Sequence, residues 1–344
     1  MQGGIDRLLV VGNPEPIHVG AHLLQSARAL GISVDLCDSN KAFAAPWPIA
    51  KLNWWLRGHR PSRLNGFSRQ VVEVCRKLQP RWVISTGISP LSDWALEAIG
   101  KLGTQRFNFL TDDPWNPAHR APWFMNALPL YDHVFSPRRA NMSDLRRFGC
   151  RQVSYLPFAY APEAHFAEPP VTDAEKERFA ADIVFVGAAD RDRIPYITAL
   201  SHAGFNLALY GGYWARFPEA RGYSRGYADL PTSRKAIGGA KIALCLVRRS
   251  NRDGHSMRTF EVPAIGACML VEDTVEHREI FGPDGKAVIY FNNIGQMIKK
   301  ARWLKESDGE RRRLAESLHQ VITSGKHTYR DRLASMLFPV NREA

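Results

Sequence analysis

A chain of 344 residues, 45% hydrophobic and 23% charged, exceeds one compact core of ordinary size and excludes a disordered protein, so two domains are expected. A net charge of +12 favours polyanionic partners: nucleotides, phosphates, nucleic acid or an acidic membrane face. Five scattered cysteines without a CxxC argue against a disulfide framework or a zinc site, and no apolar run approaches the ~20 residues of a membrane span.

The first half alternates short apolar runs with helical patterns. "RLLVV" (Arg7–Val11) precedes an amphipathic stretch from Val19 to Leu30 and a second strand, "SVDLCD". "RWVIS" (Arg81–Ser85), a helix near Leu91–Leu102, "QRFNFL" (Gln105–Leu110) and "HVFSP" (His133–Pro137) follow. Strands alternating with helices predict βαβ units and a parallel sheet covered on both faces. Cys37, Cys245 and Cys268 lie in apolar, strand-like surroundings where a small buried residue is the usual role. Reduced thiols and the lack of a signal peptide predict a cytoplasmic protein.

At "AEPPVTDAEKERFAA" (Ala167–Ala181) the texture changes to proline and charge, which reads as a linker. A second alternating series runs through "DIVFVG" (Asp182–Gly187), "NLALYGG" (Asn206–Gly212), "KIALCLV" (Lys241–Val247), "ACMLVED" (Ala267–Asp273) and "AVIYF" (Ala287–Phe291). A basic, helix-rich tail ends the chain. The expected division is therefore residues 1–166, a linker over 167–181, a second domain over 182–325, and a C-terminal helix in 326–344 returning to the first domain. In doubly wound sheets ligands bind at the carboxyl ends of the strands, so the loops there are where chemistry belongs.

Dinucleotide and Walker-type phosphate motifs are absent. "GNPEP" after the first strand and "VGAADR" after "DIVF" are not G-x-G-x-x-G, and "GPDGK" is too short for a P-loop. Asp190 and Asp192 form a D-x-D, a metal-nucleotide pattern; at a helix start the same residues serve as caps. The stretch "RDGHSMRTFEVPAIGACML" (Arg252–Leu270) is more informative. It follows a buried strand and a polar loop, with Ser256 placed as the N-cap of a helix that Pro263 shortens or kinks before Gly266. A helix N-terminus with Arg258 in its first turn, and Arg248, Arg249 and Arg252 just before it, suits a multiply charged anion. A solvated basic loop is the alternative.

The segment resembles the donor site of GT-B glycosyltransferases, including the large class with a Glu, seven residues, then Glu. "EVPAIGACMLVED" followed by "EHREIFGPDGKAVIYF" is more closely similar to bacterial spore-maturation CgeB-like glycosyltransferases. The resemblance covers roughly residues 182–337. It implies two Rossmann-like domains facing a central cleft. It also implies a nucleotide-diphosphate sugar as co-substrate, a UDP-sugar by preference, with no cofactor and no obligatory metal. By the same resemblance Glu261 holds the ribose and Asp253, one methylene shorter than the usual Glu, the sugar hydroxyls. Gly254, His255 and Arg258 meet the pyrophosphate, and Arg249, Ser256 and Thr259 belong to the same donor site. Arg191 or Arg193 occupies the position of a phosphate-binding cation. Tyr210, Gly211 and Tyr227 frame the base, with a core role for Tyr210 as the alternative.

On the acceptor side, seven of the nine tryptophans precede residue 124, and sugars pack apolar faces on aromatic rings. Trp82 and Trp94 have core contexts, whereas Trp115 and Trp123 bracket the loop after "TDDP". Asp112, Asp113 and His18 are the candidate general bases for direct attack by an acceptor hydroxyl. Bland alternatives are an Asx turn before Pro114 and a helix-start histidine. "KLNWWLRGHRPSR" (Lys51–Arg63) mixes paired tryptophans with cations and suits peripheral contact with an anionic inner membrane face. The competing functions are a nucleic-acid-binding or DNA-modifying protein and a GT-B module that binds without catalysing; no helix-turn-helix or RRM signature supports nucleic acid.

Overall fold

A computed structural model of the chain describes residues 6–339. The chain forms two compact units. The first holds the chain up to Pro157 together with Ser250–Arg252 and the chain from Tyr329 on; the second holds Phe158–Arg249 and Asp253–Thr328.

The first unit runs β1 (Arg7–Gly12), α1 (Val19–Ala29), β2 (Ser33–Asp38), α2 (Trp47–Leu56), α3 (Leu64–Leu78), β3 (Trp82–Thr86) and α4 (Asp93–Lys101). It continues with β4 (Gln105–Phe109), α5 (Pro122–Ala127), β5 (His133–Ser136), α6 (Asn141–Arg147) and β6 (Val153–Tyr155). Its six strands pair in the order β2-β1-β3-β4-β5-β6, all parallel. Leu8, Leu9, Val10 and Val11 are all fully buried, as a strand covered on both faces requires. A buried chain of hydroxyl and amide groups crosses the sheet: Asn108 Nδ2 donates to Ser85 Oγ at 2.8 Å, and Ser85 Oγ donates to Tyr131 Oη at 2.8 Å.

The second unit runs α7 (Asp173–Phe179), β7 (Ala181–Val186), α8 (Ile194–His202), β8 (Leu207–Tyr210), α9 (Pro218–Arg221), α10 (Leu230–Gly239) and β9 (Ala240–Cys245). Then come α11 (Arg258–Ile265), β10 (Met269–Glu272), α12 (Val275–Phe281), β11 (Ile289–Phe291), α13 (Ile294–Glu306) and α14 (Asp308–Ser324). The strand order is β11-β10-β9-β7-β8, again all parallel. Residues 167–181, expected as a linker, contain α7, whose start Thr172 and Glu175 close with a capping box. The final helix, α15 (Tyr329–Leu337), belongs to the first unit, where Tyr329 stacks on His22 of α1 at 4.9 Å between ring centroids.

Both sheets follow the same doubly wound order, in which the chain reverses direction across the sheet once. That reversal lies between β1 and β3 in the first unit and between β7 and β9 in the second. Loops leaving such a switch point diverge and open a crevice at the carboxyl ends of the strands. In the second unit those loops are residues 187–193 and, apart from Ser250–Arg252, residues 246–257.

Candidate functional site

Three arginines converge on the turn that follows β7. Arg258 Nε donates to the carbonyl of Val186 at 3.0 Å, and Arg193 Nη1 to that of Ala188 at 2.8 Å. The Nε atoms of Arg193 and Arg248 lie 3.4 Å and 3.6 Å from the same oxygen, Asp190 Oδ2. Arg193 is buried above the ring of Phe185. Burial pulls its guanidinium below the ordinary value while Asp190 pushes it back up; Asp253 acts on it in the same sense as Asp190. Guanidinium groups gathered at carboxyl strand ends, beside the first turn of α11, have the charge and donor geometry that suit a multiply charged anion. Asp190 also accepts the Arg193 amide at 3.0 Å, so this half of the D-x-D acts as a cap, while Asp192 is exposed.

The loop from β9 to α11 is tied down by residues that the sequence did not advertise. Thr274 Oγ1 donates to the Gly254 carbonyl at 2.6 Å, and a Cβ on Gly254 would sit 1.3 Å from Glu276 Oε2, so any side chain there would displace that carboxylate. A directed chain of hydrogen bonds runs from Ser256 N–H to Thr259 Oγ1 (3.1 Å), from Thr259 to His277 Nε2 (3.0 Å), and from His277 Nδ1 to the Glu272 carbonyl (2.7 Å). The carbonyl places the ring proton on Nδ1 and leaves Nε2 to accept. Burial lowers the His277 pKa to about 4, which keeps the ring neutral.

Several expected site residues take other roles. Ser256 is not the N-cap: α11 begins at Arg258 after Met257, itself in helical conformation, and Thr259 accepts the Ser256 amide instead. Pro263 lies inside this eight-residue helix, which Gly266 ends in the left-handed region. His255 is fully buried, packs edge-on against Phe158 and Phe260, and accepts the Phe158 amide at 3.2 Å; its imidazole is occupied in the core rather than offered to a phosphate. Arg249 is held by the buried Glu272 carboxylate and by Tyr196 Oη at 2.7 Å. Burial raises the Glu272 pKa, and the Val247 amide and Arg249 oppose it. Glu261 is 1% exposed, paired with Arg258 and 3.6 Å from His165 Nε2.

Tyr210 is buried at the end of β8 while Tyr227 is exposed. Both line a cavity of about 360 Å³ with Glu177, Arg178, Arg225 and Thr232; Arg193, Arg248 and Arg258 are not part of its lining. Gly211 has φ +128°, and a Cβ there would stand 2.4 Å from the Gly187 carbonyl oxygen, so the ends of β7 and β8 approach as backbone against backbone.

In the first unit the expected bases separate. Asp113 is 1% exposed and gripped by Arg252, Nε to Oδ2 at 2.6 Å and Nη2 to Oδ1 at 3.1 Å, while its Oδ1 accepts the Trp115 amide. A carboxylate so committed is a structural anchor, not a base. Arg252, at φ +51°, also reaches Asp144 at 2.6 Å and holds that carboxyl below its ordinary range. Asp112 is open by comparison, with Asn251 Nδ2 at 3.4 Å and His119 Nε2 at 4.0 Å. His18 precedes α1 without capping it and lies 3.6 Å from Glu15. Trp115 packs edge-on against Phe148, and Trp123 donates to the His59 carbonyl at 3.3 Å; both are half-buried against the core. Trp82 is core, but Trp94, expected beside it, is 39% exposed because it sits on the outer side of α4.

Glu272, Glu276 and His277 were missed by sequence reasoning. The available signal was position alone: Glu272 ends β10, and Glu276 and His277 lie in α12 just after it, where site loops emerge.

Residues 193–337 match the family model described as glycosyl transferase-like. No curated protein sequence matches the chain. Among solved structures, sucrose-phosphate synthase from Thermosynechococcus elongatus aligns over 96% of this chain and 97% of its own, with 12% identity and a TM-score of 0.64. The Anabaena protein HepE, in complex with UDP-glucose, aligns over 96% and 99% with 10% identity and a TM-score of 0.61. A putative UDP-N-acetylglucosamine 2-epimerase from Listeria monocytogenes aligns over 99% and 98%, with 13% identity and a TM-score of 0.57. At such identities the likeness establishes the fold.

Proposed function

We propose that the chain, whose residues 193–337 match the glycosyl transferase-like family model, is a glycosyltransferase of GT-B fold that moves a sugar from a nucleoside-diphosphate sugar, a UDP-sugar by preference, to a hydroxyl of a glycan, lipid-linked or protein acceptor. The observation that carries the donor reading is the convergence of Arg193, Arg248 and Arg258 on the turn after β7. In this reaction the bond from the anomeric carbon to the β-phosphate oxygen breaks with its electrons on that oxygen, and the acceptor oxygen bonds to carbon. The departing diphosphate gains charge as the bond stretches. Guanidinium groups already held in place by Val186, Ala188 and Asp190 stabilise that charge without reorganising. Such preorganised charge is the strongest stabilisation a site of this kind offers, and it takes the part a divalent cation would otherwise play.

Asp253, within the electrostatic reach of Arg193, is the candidate for the sugar hydroxyls. Glu261 is the candidate for the ribose, its carboxylate pre-aligned by Arg258 and His165. Asp112 is the candidate to take the acceptor's proton. Tyr227, exposed beside Gly212, is the candidate to stack on the base.

A thermal-shift panel of UDP, GDP, ADP, TDP and CMP tests the donor site in wild type and Arg248→Ala. A nucleotide at ~100 times its dissociation constant stabilises the fold by about 2.7 kcal/mol. Loss of one charged hydrogen-bonding partner weakens binding by about 1.5–3 kcal/mol, so the same concentration then stabilises Arg248→Ala by under about 1.5 kcal/mol. Shifts from no nucleotide, or equal shifts in both proteins, overturn the donor site. Consumption of the matching nucleotide sugar with release of the diphosphate, rather than epimerisation of the intact sugar nucleotide, then establishes transfer.

A further inference from the structure

The helix α2 is built inside out. Trp47, Ile49, Leu52, Trp54, Trp55 and Leu56, six of its ten residues, are exposed at 71%, 51%, 55%, 42%, 73% and 75%. Its one buried residue is a polar one, Asn53, whose Nδ2 donates to Ser62 Oγ at 2.9 Å. At 100° per residue only the edge carrying Ala50 and Asn53 faces protein, and the apolar side chains fan over the remaining surface. A soluble protein seldom leaves so continuous an apolar face uncovered without a partner for it.

The charge around this face names the partner's chemistry. Between Asp38 and Glu73 the sequence has no acidic residue and six cations: Lys41, Lys51, Arg57, Arg60, Arg63 and Arg69. Lys51 lies over the ring of Trp47 at 4.8 Å, so a cation and an aromatic ring share this surface, and Trp54 packs on the His59 ring at 4.3 Å. Lysine and arginine stems reach past apolar surface to place their charge at its rim. Tryptophans at headgroup depth with cations toward lipid phosphates are the arrangement of a helix lying in a bilayer interface. A protein partner would match the apolar area but gives no reason for the uniform positive sign. We infer that α2 docks the chain on an anionic membrane surface, with Trp47 and Trp55 entering the headgroup layer. The inference is independent of the donor site, since it requires no nucleotide.

Sedimentation of the full chain with vesicles tests it, using phosphatidylcholine alone and phosphatidylcholine mixed with phosphatidylglycerol at low and high salt. The chain should pellet with the anionic vesicles at least about tenfold better than with the neutral ones, and raised salt should weaken the binding. Trp47→Ala/Trp55→Ala should lose about tenfold or more, and Lys51→Glu/Arg57→Glu a comparable amount. These side chains are exposed, so both variants should keep the wild-type circular dichroism and melting temperature; that control separates lost docking from lost folding. Failure of wild type to bind anionic vesicles, or undiminished binding by the tryptophan variant, overturns the inference. So does self-association without lipid that the tryptophan variant abolishes, which would assign the face to a second copy of the chain.

Discussion

Substituting Gly211 by alanine should unsettle both the second unit and its candidate anion site. The added Cβ would meet the Gly187 carbonyl oxygen at 2.4 Å and its carbon at 2.6 Å, and both are backbone atoms with no side chain to swing aside. Strain of an L-residue at φ +128° costs about 1–3 kcal/mol, and overpacking of this kind about as much again. Gly222 is the matched control: exposed, at φ −64°, with nothing near its Cβ position. Both alanines gain about 0.4–1 kcal/mol from the stiffer unfolded chain, so that contribution cancels between them. The two variants should therefore differ by about 2–6 kcal/mol, which for a unit of this size separates their melting temperatures by at least about 4 °C. Scanning calorimetry reads this directly. Because Gly187 precedes Ala188, whose carbonyl holds Arg193, the Gly211 variant should also show a reduced nucleotide-induced shift. Melting of Gly211→Ala within about 1 °C of Gly222→Ala would refute the close-approach reasoning.

His277 should give the fold a measurable acid limb. Its pKa falls from 6.5 to about 4 on folding, so below pH 6.5 the unfolded chain takes up a proton that the native ring refuses. Stability is then full above pH 6.5 and declines as pH falls toward 4, by about 3 kcal/mol in all. Denaturant titrations of wild type and His277→Gln over that interval should differ in slope, and parallel curves would exclude the histidine. The two neighbouring aspartates should part company. Asp112→Asn should lower turnover by about 10²–10⁴-fold with nucleotide binding intact if this carboxylate takes the acceptor proton. Asp113→Ala, which removes the buried one of Arg252's two carboxylate partners and frees the Trp115 amide, should instead lower the melting temperature; a stable Asp113→Ala with abolished turnover would reverse the two roles.

Much of the architecture was written in local pattern. Apolar runs such as "RLLVV" and "KIALCLV" can only be strands covered on both sides, and their alternation with helical stretches specifies parallel sheets. One strand escaped, Val153–Tyr155, because at three half-buried residues it carries no apolar run. The helix in Ala167–Ala181 escaped because its prolines and charges match a linker until Thr172 and Glu175 are recognised as a capping box.

The candidate donor loop was marked in the sequence for the same local reason: a glycine, an arginine and a glutamate at fixed spacing after a buried strand. Which of its side chains are available was not. His255 and Arg249 look as suitable as Arg193 in the sequence, yet one accepts a core amide and the other is bound to Glu272. Asp112 and Asp113 are adjacent and chemically equivalent, and only Arg252, more than a hundred residues later, divides an open carboxylate from a buried anchor. Periodicity and spacing depend on neighbours along the chain and so survive in the sequence. Pairing, burial and the proton positions they fix depend on residues brought together from far apart, and these were decided by the tertiary structure alone.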